Sequence, residues 1–489
     1  MASAISQSSK SAAIRAQLKY PVIDSDGHTF EMGLVFFDYL KRVAGATMVD
    51  RYRRAFDSGH TSSHWRENSP AQRRERRELR PTWRGIAAAN TRDLATAILP
   101  RLTYERLDEM GLDHAVIYPT LGFQIEGVAD DEVRQAAVRA HNLMKAEMFA
   151  EFSDRLTPVA GIPMYTPQEA IEELEYAVKE LKFKAVMVPS YVKRPIAAVE
   201  KRYPGVGQWA YWMDTYGLDS EYDYDPFWAK CVELGVSPTF HSLGYGWGAR
   251  QSVTNYVHNH LGNFGASADA ICRGLLMGGV PKRFPKLTFA FLEGGMAWAR
   301  ALYSDAISHW QKRNGEAIAL YDPDRIDRAL LKREMVRAGG RFTQGHEDQI
   351  LDALISRMYI GEDAALTDEW APSGITSPQQ LRDIFVNQFY FGCEGDDPLN
   401  ALAFRPMGTP FEARLKALYG SDIGHWDVPD MSEVLEEAYE LVEHHLIDED
   451  ELRQFLFDNA VAFWTSTNRD FFKGTTIESE VEAWLSARK

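Results

Sequence analysis

Eight short, continuously apolar runs, beginning near residues 22, 114, 157, 184, 236, 287, 387 and 415, alternate with stretches of helical periodicity. Runs this uniformly apolar fit strands buried on both faces, the condition of parallel strands covered by helices. Eight strand–helix units predict an α/β chain closed into a (β/α)8 barrel, the TIM-barrel architecture, with its chemistry where the strands end. The 489 residues exceed what such a barrel needs, and the surplus falls into three largely helical insertions at about 33–110, 191–224 and 296–384. Long excursions of this kind serve as lids, caps or contacts between subunits. We expect a flexible start over 1–20, the barrel over 21–465 and a C-terminal helical tail over 466–489.

The strand ends are where polar residues collect. The first apolar run passes into Asp24-Ser25-Asp26-Gly27-His28. Strict alternation along a strand would send Asp24, Asp26 and His28 to one face and Ser25 and Gly27 to the other. His241 ends the fifth run, Glu293 follows the sixth, and Asp422 follows the eighth within Gly420-Ser421-Asp422-Ile423-Gly424-His425. The seventh runs into Gly392-Cys393-Glu394-Gly395-Asp396-Asp397. A closed ring of strands draws such distant ends together. Carboxylates beside imidazoles then suit a divalent metal such as Zn, Mn or Fe rather than a structural thiolate site.

Charge and cysteine usage narrow the setting. A net charge of −16 argues against nucleic acid and anionic membranes as partners. No apolar run is long enough to span a bilayer, and the first twenty residues lack a signal core. Cys231, Cys272 and Cys393 are too few and too scattered for a disulfide framework or a paired-cysteine metal site. A cytoplasmic enzyme working on a small molecule is the expectation, with appendages that favour a homo-oligomer or a hetero-oligomer with a related barrel.

The D-x-H after the first strand, the strand-five His and the G-S-D-x-x-H phrase of strand eight resemble the amidohydrolase superfamily, in the branch related to aminocarboxymuconate semialdehyde decarboxylase. That resemblance implies that Asp26, His28, His241 and Asp422 hold a catalytic metal, with an open position for water or substrate. It implies either hydrolysis or non-oxidative decarboxylation of a small organic acid or amide, and Asp422, His241 and Glu293 are the candidate catalytic set. Asp24, His425, Asn263, Arg250 and Trp247 are placed around this set as supporting or substrate-contacting groups. Two departures stand out. Decarboxylases of this branch usually carry a His near the end of strand six, where this chain has Glu293. The bridging Lys of two-metal hydrolases is missing from Val188-Pro189-Ser190. A surplus of donors, Glu293 with His258 or His260, points to a second ion. The chain thereby also resembles the superfamily's dinuclear Fe or Fe/Mn oxygen-dependent hydroxylases. A metal-binding, non-catalytic subunit is the third reading.

Overall fold

The computed structural model describes residues 9–59, 65–82, 89–242, 246, 248–358 and 367–488. Eight parallel strands lie side by side in chain order: β1 (Ile23–Thr29), β2 (His114–Pro119), β3 (Leu156–Gly161), β4 (Ala185–Pro189), β5 (Pro238–His241), β6 (Phe289–Phe291), β7 (Phe389–Glu394) and β8 (Lys416–Gly420). The ring closes just past the end of β8, where the Asp422 N–H donates to the Asp26 carbonyl at 3.0 Å and the His28 N–H to the Ile423 carbonyl at 2.7 Å. The expected (β/α)8 barrel with helical insertions is the observed one.

Alternation along the strands sorts the core into two clusters. Ile23, Val116, Tyr118, Val159, Ala185, Met187, Ala290, Leu292, Tyr390 and Leu418 gather inside the ring. Ala115, Ile117, Ala160, Val186, Val188, Phe240 and Phe291 pack outward beneath the covering helices. One end of the ring is filled by the tail, whose Phe457, Phe463, Trp464, Phe471 and Phe472 join the interior cluster. Polar contacts fix that plug where strands begin: the Asn459 amide donates to the Ala417 carbonyl at 2.9 Å and Lys184 Nζ to the Phe471 carbonyl at 2.8 Å. With this end stoppered, only the carboxyl ends of the strands remain for chemistry.

Several expected boundaries move. Within 1–20, residues 9–20 carry the docked helix Lys10–Arg15, capped by Ser9 and tied down by Arg15 on Asp113 and by the Ser11 hydroxyl accepting the Glu436 N–H. The 465/466 division falls inside the helix Asn459–Thr467. The second insertion contains an antiparallel ribbon, Val192–Pro195 with Tyr211–Asp214, which its mixed aromatic and charged sequence did not announce. In the third, Ala297–Arg313 and Pro378–Asn387 pack on each other and on the barrel through Tyr303, Phe385 and Phe389, so the true excursion begins only after Arg313. Among the described residues no helix is long and apolar enough to cross a membrane.

Candidate metal centre

The centre is assembled at the carboxyl ends of β1, β5, β6 and β8. β1 departs from strict alternation: its register against β2 shifts between Asp24 and Gly27. Asp26 and His28 therefore share the site, while Asp24 is drawn aside, which corrects the expectation that all three share one face. The Asp24 carboxylate accepts from the Ser421 N–H at 3.0 Å, the Ser421 hydroxyl at 2.5 Å and the Asp26 N–H at 3.0 Å. Asp24 is thus the clamp between β1 and the loop that presents Asp422. Burial pushes its carboxyl up to about 6 even against these three donors.

That loop comes very close to β1. A Cβ on Gly420 would sit 2.8 Å from Asp26 Cβ, and Gly424, at φ +93°, lies against the His28 carbonyl. Glycine at both positions is what permits the approach. Two acids of the centre are held in the left-handed region: Glu293 at φ +57° and Asp422 at φ +52°. Strain of this kind costs on the order of 1–3 kcal/mol per residue and persists where the surroundings demand one side-chain direction.

The side chains so directed meet. His28 Nε2 is 3.4 Å from Asp26 Oδ1 and 3.3 Å from Asp422 Oδ1; His241 Nε2 is 3.9 Å from Asp26 Oδ1 and 3.0 Å from Glu293 Oε2. All five residues are buried. Each of these five atoms lacks a hydrogen-bond partner. Buried polar atoms are nearly always satisfied, so five orphans gathered from four strand ends mark a place for bound cations or protons, with Asp26, His28 and His241 offering atoms within 4.8 Å of one another. Ligands about 2.0–2.2 Å from a common ion stand about 3–3.5 Å apart, close to the spacings here. The residues therefore fit a divalent metal, and two imidazoles with three carboxylates are donors suited to Mn, Fe or Zn.

Electrostatics agree with the geometry. Burial first, and neighbouring carboxylates second, push Asp26, Glu293 and Asp422 well above the usual carboxylate range. Burial likewise drives His28 well below its ordinary value and His241 to about 3. The protein alone presents crowded acids beside neutral imidazoles, an arrangement a cation relieves. His241 Nδ1 accepts the Ser242 N–H at 2.8 Å and lies 3.2 Å from the Ser242 carbonyl, contacts that fix the ring with Nε2 turned into the site.

His425 stands beside the ligands. Its Nδ1 is 2.6 Å from Asp422 Oδ1, its ring stacks on His28 with centroids 3.7 Å apart, and its Nε2 is 3.4 Å from the Thr120 hydroxyl. Burial lowers its pKa to about 4. Asn263 is buried and accepts the Gly246 N–H at 3.1 Å, supporting the glycine-rich loop after β5. Arg250 is exposed, and Trp247 lies outside the described residues.

The expected second-ion donors separate. His258 is exposed on a short helix, and His260 packs among Tyr256, Phe264 and Trp426. Neither joins Glu293 in a group able to hold an ion; the groups formed by the described residues are Asp26–His28–His241, His28–Asp422–His425 and Glu293–Glu394–Asp422. Glu394, the last residue of β7, is the member that sequence reasoning passed over. Burial and then Asp427, Asp396 and Asp397 push its carboxyl up to about 8. The signal was present, since Glu394 follows an apolar run just as Glu293 does. Glu31 also went unremarked. Its buried carboxylate accepts the N–H groups of Thr120 and Leu121 at 3.0 and 2.8 Å and faces His141 Nε2 at 3.1 Å.

Comparison with known proteins follows the same lines. Residues 104–331 match the family model described as amidohydrolase. Over 120 residues the chain is 28% identical to the gamma-resorcylate decarboxylase of Polaromonas sp. (strain JS666 / ATCC BAA-500), a match covering 24% of this chain and 36% of that relative. Among solved structures, an amidohydrolase of Mycobacterium avium subsp. paratuberculosis K-10 superposes with a TM-score of 0.51 at 19% identity, over 91% of this chain and 100% of the other. The 5-carboxyvanillate decarboxylase of Sphingomonas paucimobilis does so with a TM-score of 0.50 at 12% identity, over 91% and 99%. At these identities the likeness to the solved structures is one of fold.

Proposed function

We propose that the protein is a member of the amidohydrolase family and, within it, a metal-dependent, non-oxidative decarboxylase of a small organic acid. The observation that carries this reading is the convergence of the unpaired Asp26 Oδ1, His28 Nε2, His241 Nε2, Glu293 Oε2 and Asp422 Oδ1. Asp26, His28 and His241 would hold the ion, Mn, Fe or Zn, with Asp422 beside His28 and Glu293 beside His241. When bound, the ion supplies a positively charged, Lewis-acidic seat for a carboxylate among side chains that would otherwise repel it. The similarity to a gamma-resorcylate decarboxylase favours loss of carbon dioxide over hydrolysis and names a first probe.

The chain's own groups account for the rest of the chemistry. Replacing a carboxyl by hydrogen requires one proton at the carbon that loses carbon dioxide. His425, a partly buried imidazole whose Nδ1 lies 2.6 Å from Asp422 Oδ1, is the group placed to supply it. The stack on His28 and the Thr120 hydroxyl hold that imidazole in plane. Burial keeps His425 neutral near pH 7, so a proton placed on it is released readily. Phe123 and Phe264 flank the His241 ring, at 4.4 and 5.6 Å, and give the site an apolar wall against water. No observation favours the oxygen-dependent hydroxylase or the non-catalytic subunit.

The test is anaerobic incubation of the Mn-loaded protein with gamma-resorcylate and 5-carboxyvanillate, following carbon dioxide release. Decarboxylation without oxygen, lowered about 10²- to 10⁴-fold in His425→Gln with metal content unchanged, is the expected result. Amide or ester hydrolysis without carbon dioxide release from any acid tried would replace this reading with a hydrolase. A strict requirement for oxygen would replace it with a hydroxylase.

A further inference from the structure

We propose that the protein carries a binding site for an organic oxyanion, apart from the candidate metal centre, in the cavity between the start of β8 and the C-terminal tail, with the Lys416 ammonium as its anchor. The cavity measures about 450 Å³, ample for a small molecule. It lies at the end of the barrel where strands begin, opposite the mouth that gathers Asp26, His28, His241 and Asp422. Lys416 opens β8 and is largely buried. Its Nζ donates to the Tyr390 hydroxyl at 2.9 Å and sits 4.5 Å from the centre of that ring. Among the described residues it has no other hydrogen-bond partner, which leaves two of its three N–H donors for something else. Burial alone brings its pKa down to about 8, with no carboxylate near enough to offset it. A buried ammonium is normally paired, because desolvation penalises the lone charge.

The rest of the lining shows why the chain does not pair it. Asp458 is already engaged: it faces Arg453 at 3.2 Å and Arg488 at 3.6 Å and accepts the Trp484 Nε1–H at 2.8 Å. Asp450 is exposed. Three basic side chains therefore meet two acidic ones in this cavity, although the chain as a whole carries −16. The excess is positive, and its least solvated member is Lys416. Ala462 and the Trp484 indole add apolar surface to the same space. An ammonium in want of a counter-charge, two half-exposed guanidinium groups at the rim and an indole suit a carboxylate or a phosphate ester carried on an apolar body.

Isothermal titration calorimetry of the full-length protein with benzoate, phenyl phosphate and inorganic phosphate tests the site. Benzoate or phenyl phosphate should bind once per chain, and the tighter of the two identifies the head group. Inorganic phosphate, which lacks the ring, should bind at least about tenfold more weakly than phenyl phosphate. Lys416→Met keeps the length of the side chain and drops its charge. It should weaken the organic anion about 10- to 100-fold and raise the melting temperature of the unliganded protein, since an uncompensated buried charge is removed. Arg488→Gln, at the exposed rim, should weaken binding less, and His28→Ala at the other mouth should leave the isotherm unchanged. Binding that vanishes in His28→Ala and persists in Lys416→Met assigns the anion to the metal centre and overturns the site. So does the absence of saturable binding by all three probes. Inorganic phosphate binding as tightly as phenyl phosphate overturns the organic ligand, and a lowered melting temperature in Lys416→Met makes the lysine a structural residue and overturns its role as anchor.

Discussion

The residues that matter most to the candidate centre are not all among its proposed ligands. Ser421 satisfies the buried Asp24 carboxylate with both its N–H and its hydroxyl, and so fixes the loop on which Asp422 is presented. Ser421→Ala should lower metal affinity about 10- to 100-fold, as loss of an orienting partner generally does. Competition with a chromogenic chelator measures it; unchanged affinity would show that the Asp24 clamp does not position Asp422. Glu31 makes a second case, sharpened by pH. Burial alone would raise its carboxyl, but the hydrogen bond and charge of His141, the charge of Lys145 and the Leu121 N–H outweigh burial and hold it at about 2. A carboxyl lowered on folding contributes stability above its ordinary value of 4.5, and that contribution fades as pH falls towards 2. Glu31→Gln leaves the buried Lys145 ammonium without its counter-charge and should cost about 3–5 kcal/mol near pH 7. The gap between wild-type and variant urea midpoints should narrow below about pH 4.5; a gap constant with pH would mean that Glu31 is neutral in the native state. The sequence made Asp26, His28, His241, Glu293 and Asp422 legible because each ends or follows an apolar run. It could not show that a bulge turns Asp24 away, since a register shift depends on the neighbouring strand.

At the scale of elements, the barrel strands were readable because both their faces are buried, which leaves an unbroken apolar signature. The ribbon Val192–Pro195 with Tyr211–Asp214 was not. Its strands are four residues each, half-exposed, and held by Arg194 on Asp214 and on the Tyr224 hydroxyl, pairings no local pattern encodes. The C-terminal tail was legible as helix but not as a stopper, because its aromatic residues declare burial without declaring against what. Trp464 is the clearest member, 3% exposed, stacked on Phe471 at 4.8 Å and within 3.3 Å of the Ser25 hydroxyl inside the ring. Trp464→Ala should cost about 3–5 kcal/mol by opening a cavity in the interior cluster. The plug lies at the opposite mouth from the ligands, so the folded fraction should keep its metal count. A variant that unfolds at unchanged urea concentration would mean that the tail merely lies over the barrel, and one that loses metal while folded would mean that the two mouths are coupled.

For the whole molecule, the proposed metal site couples ion binding to folding. Its proposed ligands are separated by up to several hundred residues in the chain and are neighbours only when the ring is closed. The bond that closes it, Asp422 N–H to the Asp26 carbonyl, joins two of them directly. An unfolded chain has no comparable site, so each bound ion stabilises the native state by RT ln(1 + [M]/Kd), about 2.7 kcal/mol when free metal is 100 times Kd. The metal-free protein carries the opposite burden, since Asp26, Glu293 and Asp422 are then crowded in a buried space with little to balance them. Chelation should therefore lower the melting temperature, and stepwise addition of Mn²⁺ should raise it continuously with the logarithm of free metal. His28→Ala, which deletes a ligand and leaves the barrel's main-chain closure in place, should flatten that rise. Differential scanning calorimetry at fixed pH and ionic strength makes the measurement. A melting temperature indifferent to chelator and to Mn²⁺ would mean that protons shared among the carboxylates already satisfy the site, and the metal-dependent reading of the centre would fall with it.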